Sequence, residues 1–186
     1  MKKKFVVAVA AVAMAAVMSV SAFAADGVTV PSISGGDANT NISTPADANA
    51  SESTKKAYEA VTATKAKDTT STVVDQVAAV IEVTDTSKQS AEAMKQATDI
   101  VNNAATVVGA EDTKGVTIRT VADVKVTGGE ATLNVAGMDE GEKAVVMYLD
   151  KNGNWQTLEA KVVNGKLVFK LPYSTSIMLL TKNKAR

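Results

Sequence analysis

The sequence contains no cysteine and no histidine. Without cysteine, the chain can form no disulfide, no thiolate metal site and no thiol nucleophile. Without histidine, it cannot build a Ser-His-Asp triad, a His-ligated zinc site or an imidazole general base. We therefore expect a non-enzymatic protein with no cofactor and no metal site, whose fold is stabilised by packing of its apolar core.

Clusters of basic residues are also absent beyond the first few positions. The chain has 20 acidic and 20 basic residues, and three of the basic ones are Lys2, Lys3 and Lys4. Removal of an N-terminal segment that contains these three lysines would leave 17 basic against 20 acidic residues, a net charge of −3. This balance lacks the electrostatic footprint of a nucleic-acid-binding protein. No apolar run after residue 25 reaches the roughly 20 residues of a membrane span, so none is expected in the mature chain.

The N-terminus has the three parts of a bacterial secretory signal. Three lysines are followed by an apolar stretch over residues 5–18, and then by Ala22 and Ala24 at the −3 and −1 positions of a cleavage site. We predict that residues 1–24 are a signal peptide removed after Ala24. An uncleaved anchor is the alternative, but the apolar stretch is short for a span. The expected location is secreted or extracellular, with attachment to the cell envelope left open.

The mature chain changes composition twice. Residues 25–52 are rich in Ser, Thr, Ala, Asn, Asp and Gly and have no apolar period, which predicts a disordered polar spacer. Residues 53–110 have helical patterns. Thr72 and Asp75 form a predicted capping box for one helix. A second helix is expected from about Ser87 to Val108, with Thr86 and Gln89 as its capping box and Gly109 as its end.

The second of these helices has a heptad-like apolar pattern. Its repeat could form a seam for a partner protein, or it could pack a helix against its own domain. The residues are Ala91, Met94, Thr98, Val101, Ala105 and Val108.

Residues 115–182 have the pattern of short antiparallel strands. The turn sequences Asn152-Gly153 and Asn164-Gly165 indicate two-residue hairpin loops. The first loop would pair Met147 with Leu158, and the second would pair Val162 with Leu167. The predicted fold class is α+β, with N-terminal helices followed by a small antiparallel β-sandwich or half-open barrel of about six strands.

The same register predicts an aromatic pair on one face of the sheet. Tyr148 and Trp155 would lie diagonally across neighbouring strands, as a platform for a carbohydrate or peptide. The alternative is that helices or a second sheet cover this face, which would make Trp155 a core residue.

Three acids crowd a turn that is flanked by glycine. Asp139, Glu140 and Glu142 could supply a carboxylate pair for glycoside hydrolysis. Acids in such a turn can equally form a solvated loop.

Three segments together resemble a known type of domain. They are residues 135–148, with a Gly-x-x-x-Gly-acid turn and an apolar strand, residues 152–155, with a Gly-x-Trp hairpin, and residues 164–169. Residues 115–182 resemble the C-terminal β-domain of small secreted or surface-attached proteins of Gram-positive, often gut-dwelling, bacteria, with Ser174 or Ser176 opening the final strand. The resemblance implies an extracellular or envelope location and no established activity. The wall-sorting tail of many such proteins is missing here.

Taken together, these features predict a non-catalytic secreted or envelope-associated module with a structural, adhesive or binding role. Its partner would be a cell-envelope component, a glycan or a protein. One alternative is an accessory or inhibitor protein that binds another secreted protein through its helices. A carboxylate-based secreted hydrolase is another.

Overall fold

The computed structural model describes residues 33–68 and 70–184. The predicted signal peptide, with Ala22 and Ala24, lies outside these residues. The described strands are β1 (Ile33–Gly35), β2 (Thr40–Ser43), β3 (Val116–Val126), β4 (Glu130–Val135), β5 (Lys143–Leu149), β6 (Trp155–Val163), β7 (Lys166–Lys170) and β8 (Thr175–Lys182). The helices are α1 (Glu52–Lys67), α2 (Val73–Thr84) and α3 (Ser90–Val108), followed by a 3₁₀ turn at Thr113–Gly115.

The predicted fold class is wrong in two respects. The helices are not N-terminal, because two strands precede them, and the described sheet has eight strands instead of about six. Neighbouring strands are antiparallel, and the order β1-β4-β7-β6-β5-β8-β3-β2 curls into a nearly closed barrel. Both additional strands, β1 and β2, come from the polar stretch 25–52 in which composition predicts a spacer.

Hydrogen bonds to Thr132 on β4 connect the two edges of this barrel. The Gly36 N–H donates to the Thr132 carbonyl at 2.6 Å, and the Thr132 N–H donates to the Thr40 hydroxyl at 3.1 Å. Thr40 is buried, and Ile33 on β1 adds an apolar side chain to the core. Strands this short carry too few apolar residues to stand out from a polar stretch of sequence. They are stabilised by contacts with residues that are distant in the chain, and a local sequence pattern does not show such contacts.

Two apolar clusters give the molecule its layers. The first lies inside the barrel, and the second lies between its outer surface and the three helices. The interior cluster contains Ile33, Val124, Ala131, Leu133, Ala144, Val146, Ala160, Val162, Leu167, Phe169, Leu171, Ile177 and Leu179. Strands β3, β5 and β8 contribute to both clusters, so both of their faces are apolar.

The observed helix ends agree with the predicted ones at two points and differ at a third. The Thr72–Asp75 capping box is confirmed, and Gly109 ends α3 in the left-handed conformation with φ +66°. The predicted capping box of Thr86 and Gln89 is wrong, because α3 begins at Ser90 and Gln89 makes no side-chain cap. None of the helices in 33–68 and 70–184 combines the length and apolar character needed to cross a membrane.

One hairpin has the predicted register and the other does not. Val162 pairs with Leu167 around a two-residue loop in which Asn164 and Gly165 both have positive φ, 54° and 72°. In the other hairpin, Met147 pairs with Thr157 instead of Leu158, so the predicted register is wrong by one residue.

The side chain of Asp150 accounts for this shift. Its Oδ1 accepts hydrogen bonds of 2.8 Å from the N–H groups of Asn152 and Asn154, and its carbonyl accepts one from Gly153 at 3.0 Å. The loop therefore has three residues, with only Gly153 at positive φ, the arrangement of a type I turn with a bulge. A loop with three residues instead of two shifts the pairing of β5 with β6 by one position. Residues of the two strands that were predicted to share a face of the sheet therefore lie on opposite faces.

Candidate functional site

Trp155 lies under the helices and not on an exposed platform. Only 2% of the residue is exposed, and it belongs to the cluster between helices and barrel. Its indole Nε1 donates to the Thr84 hydroxyl at 2.8 Å, and its carbonyl accepts a hydrogen bond of 3.2 Å from the Gln96 side chain. Trp155 therefore joins α2 and α3 to the barrel.

Tyr148 lies on the opposite face of the sheet. It is half-buried and packs against the interior cluster, while its neighbour Leu149 packs with the helical cluster. The predicted pairing of Tyr148 with Trp155 on one surface is therefore wrong. The aromatic partner of Tyr148 is Tyr173, from the loop between β7 and β8, with ring centroids 6.5 Å apart and planes at 76°.

A lysine completes this group. The Lys151 Nζ lies 5.1 Å from the centroid of the Tyr173 ring, within the range of a cation–π contact. We call Tyr148, Lys151 and Tyr173 the aromatic corner. It is built where the β5–β6 and β7–β8 loops meet at one end of the barrel.

Hydrogen bonds hold the corner in place. The Tyr173 hydroxyl donates to the Leu149 carbonyl at 3.5 Å, and the Thr175 hydroxyl donates to the same carbonyl at 2.6 Å. Desolvation raises the pKa of Tyr173, a hydrogen bond from the Lys151 backbone lowers it, and the Asp150 charge and Tyr148 raise it further. The phenol therefore stays neutral at physiological pH and can donate or accept hydrogen bonds.

The turn beside the corner is also fixed. The N–H of Asn154 is the leading cause that keeps the pKa of Asp150 below its ordinary value, and Asn152 and Gln156 add to the effect. The carboxylate of Asp150 is thus committed to the turn. In the corner, the Lys151 ammonium lies over the Tyr173 ring, which in turn contacts Tyr148. This arrangement is suited to hydrogen-bonding, stacking and anionic ligand groups.

A second polar group lies beneath the first turn of α1. Asp123 on β3 is 8% exposed, and no other Asp, Glu, Lys or Arg in the described ranges is as buried. Its Oδ2 accepts from the Ser51 N–H at 2.6 Å. Its Oδ1 accepts from the hydroxyls of Ser51, Thr54 and Ser176 at 2.7, 2.7 and 3.0 Å. We call these four residues the Asp123 cluster.

The Asp123 cluster connects the start of α1 to strands β3 and β8. Ser51 caps α1, and the carboxylate lies at that positive helix end. Ser53 donates to Ser176 at 2.6 Å, since the Ser176 hydrogen already points to Asp123. Sequence reasoning missed the cluster, although an aspartate between Ala122 and Val124 in an apolar strand was a usable signal.

The three acids of the β4–β5 loop contact backbone groups and a lysine. Glu140 accepts from the N–H groups of Asn164 and Gly165, at 3.1 and 2.9 Å. Asp139 and Glu142 each contact the Lys184 Nζ at 2.8 Å. These hydrogen bonds raise the pKa of Lys184, with Asp139 the larger cause. The contacts favour a structural role for the acids, and no group of three potential metal ligands occurs among the residues that the structure describes.

The predicted helical seam is divided between surface and core. Met94 is 40% exposed and Thr98 is exposed, whereas Val101 and Ala105 are buried against the rest of the protein. The residues by which α3 packs are Ala93, Ala97, Ile100, Val101, Ala104 and Ala105.

Comparisons with protein-family models, with curated proteins and with solved structures found no match to this chain.

Proposed function

We propose that this protein is a non-catalytic binding module, exported from a bacterial cell, that attaches to a cell-envelope component, a glycan or a protein through the aromatic corner. The carrying observation is the corner itself, in which Tyr148 and Tyr173 stand edge to face with Lys151 over one ring. The proposal of export rests on the secretory signal that the sequence predicts over residues 1–24.

The construction of the corner supports a binding role. Tyrosine offers a large amphipathic contact surface with little conformational entropy to lose, which is why it is enriched in binding surfaces. Here the Tyr173 hydroxyl bonds the carbonyl of Leu149, the last residue of β5, and Asp150 braces the loop that follows. A preorganised surface loses less entropy when it binds.

The other polar groups favour a protein without catalysis. The barrel interior is filled by apolar side chains. The buried carboxylate of Asp123 is satisfied by four donors, and the β4–β5 acids hold turns and Lys184. The missing histidine and cysteine remove the commonest nucleophile and base chemistry.

A sedimentation assay tests the proposal. Purified protein without residues 1–24 is incubated with Gram-positive cell walls, with insoluble glycans and with immobilised extracellular matrix proteins, and the retained fraction is measured. We expect retention on at least one of these materials. Tyr173→Ala and Lys151→Ala should each reduce it at least several-fold, because one removes a ring and the other the charge.

Matched variants separate the corner from the helices. Met94→Ala changes an exposed apolar residue on α3 and should leave retention unchanged. Unfolding curves confirm that each variant is folded before binding is compared. Loss of retention in Met94→Ala but not in Tyr173→Ala would instead support the helix-mediated accessory role. No retention of the wild-type protein on any material would contradict the proposal.

A further inference from the structure

The two Asn-Gly turns present the same reactive sequence in different surroundings. In such a pair, the glycine nitrogen can attack the asparagine side-chain carbonyl carbon, since glycine has no side chain to obstruct the approach. The nitrogen loses its proton, the new C–N bond closes a succinimide ring, and the side-chain amide leaves as ammonia. Water then opens the ring at either carbonyl, giving aspartate or isoaspartate. Asn152 and Asn164 are both exposed to this water.

At Gly165 the attacking nitrogen is held by a carboxylate. Its N–H donates to Glu140 Oε2 at 2.9 Å, while the N–H of Asn164 donates to Oε1 of the same group at 3.1 Å. A negative acceptor stabilises the protonated nitrogen and opposes formation of an anion beside it. The two bonds also clamp the turn against the movement that ring closure requires.

At Gly153 the corresponding N–H meets a neutral acceptor. It donates to the Asp150 carbonyl at 3.0 Å, and the Asp150 carboxylate binds the N–H groups of Asn152 and Asn154 instead. The nitrogen that must attack is therefore not paired with a charge. In the described part of the chain, no carboxylate from a distant loop accepts from the N–H groups of Asn152 and Gly153, as Glu140 does from those of Asn164 and Gly165.

We propose that Asn152 is a site of spontaneous deamidation in the folded protein, and that Glu140 protects Asn164 from the same reaction. Conversion at position 152 places a new carboxylate between Lys151 and Gly153. The isoaspartate product also adds a methylene to the main chain of this three-residue turn. The modification thus changes the charge and geometry of the loop that carries Lys151.

Ageing of the purified protein at mildly alkaline pH tests the inference. Peptide mass spectrometry follows the replacement of NH2 by OH at each asparagine, and an isoaspartate methyl-transfer assay identifies the rearranged product. We expect Asn152 to convert about tenfold faster than Asn164. The slower site is the one whose attacking nitrogen must give up a charge-assisted hydrogen bond before it can react. Glu140→Ala should bring Asn164 close to the rate of Asn152, and Glu140→Gln should accelerate it less.

Internal controls make each outcome decisive. In concentrated denaturant the two sites should react at similar rates, because both contacts are lost. A cooperative urea unfolding curve shows that Glu140→Ala remains folded, and the rate at Asn152 in this variant should stay at the wild-type value. Equal native rates, faster conversion of Asn164, or an unchanged Asn164 rate in folded Glu140→Ala would each overturn the inference. These outcomes do not depend on ligand binding, so they are independent of the proposed function.

Discussion

The hydroxyl of Thr54 on α1 donates a hydrogen bond of 2.7 Å to the buried carboxylate of Asp123 on β3. Thr54 is fully buried, and the bond joins residues 69 positions apart in the sequence. It connects the helical layer to the outer surface of the barrel at the point where α1 begins. Its loss should therefore weaken the docking of the helices.

Replacement of Thr54 by valine tests this connection. Valine keeps the shape of threonine but cannot donate, so the free energy of unfolding should fall by about 1.5–3 kcal/mol, the value of a hydrogen bond to a charged group. Thr62→Val on the same helix is the matched control, because the Thr62 hydroxyl donates to the uncharged Tyr58 carbonyl one turn earlier. Urea unfolding should show a much smaller change there. Equal losses in both variants would contradict the prediction.

Trp155 should report the docking of helices on the barrel. As the single tryptophan, it is the dominant fluorophore, and it is 2% exposed. We expect blue-shifted native emission with little quenching by acrylamide, and a red shift on unfolding. Thr84→Val leaves the indole N–H without its partner, which should cost about 1–3 kcal/mol. Native emission typical of a solvated indole would show that Trp155 is exposed.

Glycines at the end of β1 are required for closure of the barrel. A Cβ on Gly35 would lie 1.8 Å from the Thr40 carbonyl oxygen, and one on Gly36 would lie 2.9 Å from the Thr132 carbonyl oxygen. Gly35→Ala should destabilise the protein by about 3 kcal/mol or more, since backbone must move to relieve the overlap. Ser34→Ala, at a neighbouring exposed position, should change stability by less than about 0.5 kcal/mol. A Gly35→Ala variant with the same melting temperature as the wild type would contradict the described closure of the barrel.

The Asp150 turn should make stability depend on pH in the acid range. Because the folded pKa of Asp150 lies below its ordinary value of 3.8, the stabilisation is fully present above that value and is lost as pH falls through the folded pKa. The stability difference between wild type and Asp150→Asn should therefore be constant from neutral pH to about pH 5 and shrink in stronger acid. Unfolding curves over this range provide the measurement. A difference that grows on acidification would have the wrong sign.

Local chemistry was sufficient to locate most of the regular elements. The strands from Val116 to Lys182 lie within the predicted β-region 115–182, and Gly109 ends α3 because it adopts φ +66°. The Asn164-Gly165 loop fixed its own register, since both residues take positive φ in a two-residue turn. In each case the signal depends on residues within a few positions of one another.

The surroundings of Tyr148 and Trp155 required the tertiary structure. Strand β5 has apolar side chains on both faces, one toward the barrel interior and the other toward the helices, so alternation cannot reveal a shift of one residue. The Asp150 side chain selected the longer loop, and that choice placed Tyr148 beside Tyr173. No local pattern connects these two tyrosines, which meet only because β5 and β8 pair.

The sequence by itself therefore determined where the helices and the strands of residues 115–182 form and how the Asn164-Gly165 hairpin turns. Only the tertiary structure decided that β1 and β2 close the barrel, that Trp155 is buried and that the aromatic corner exists. The physical reason is the separation in sequence between the residues that interact. Caps and tight turns are set by neighbouring residues, whereas closure and burial depend on contacts between residues that are distant in the chain.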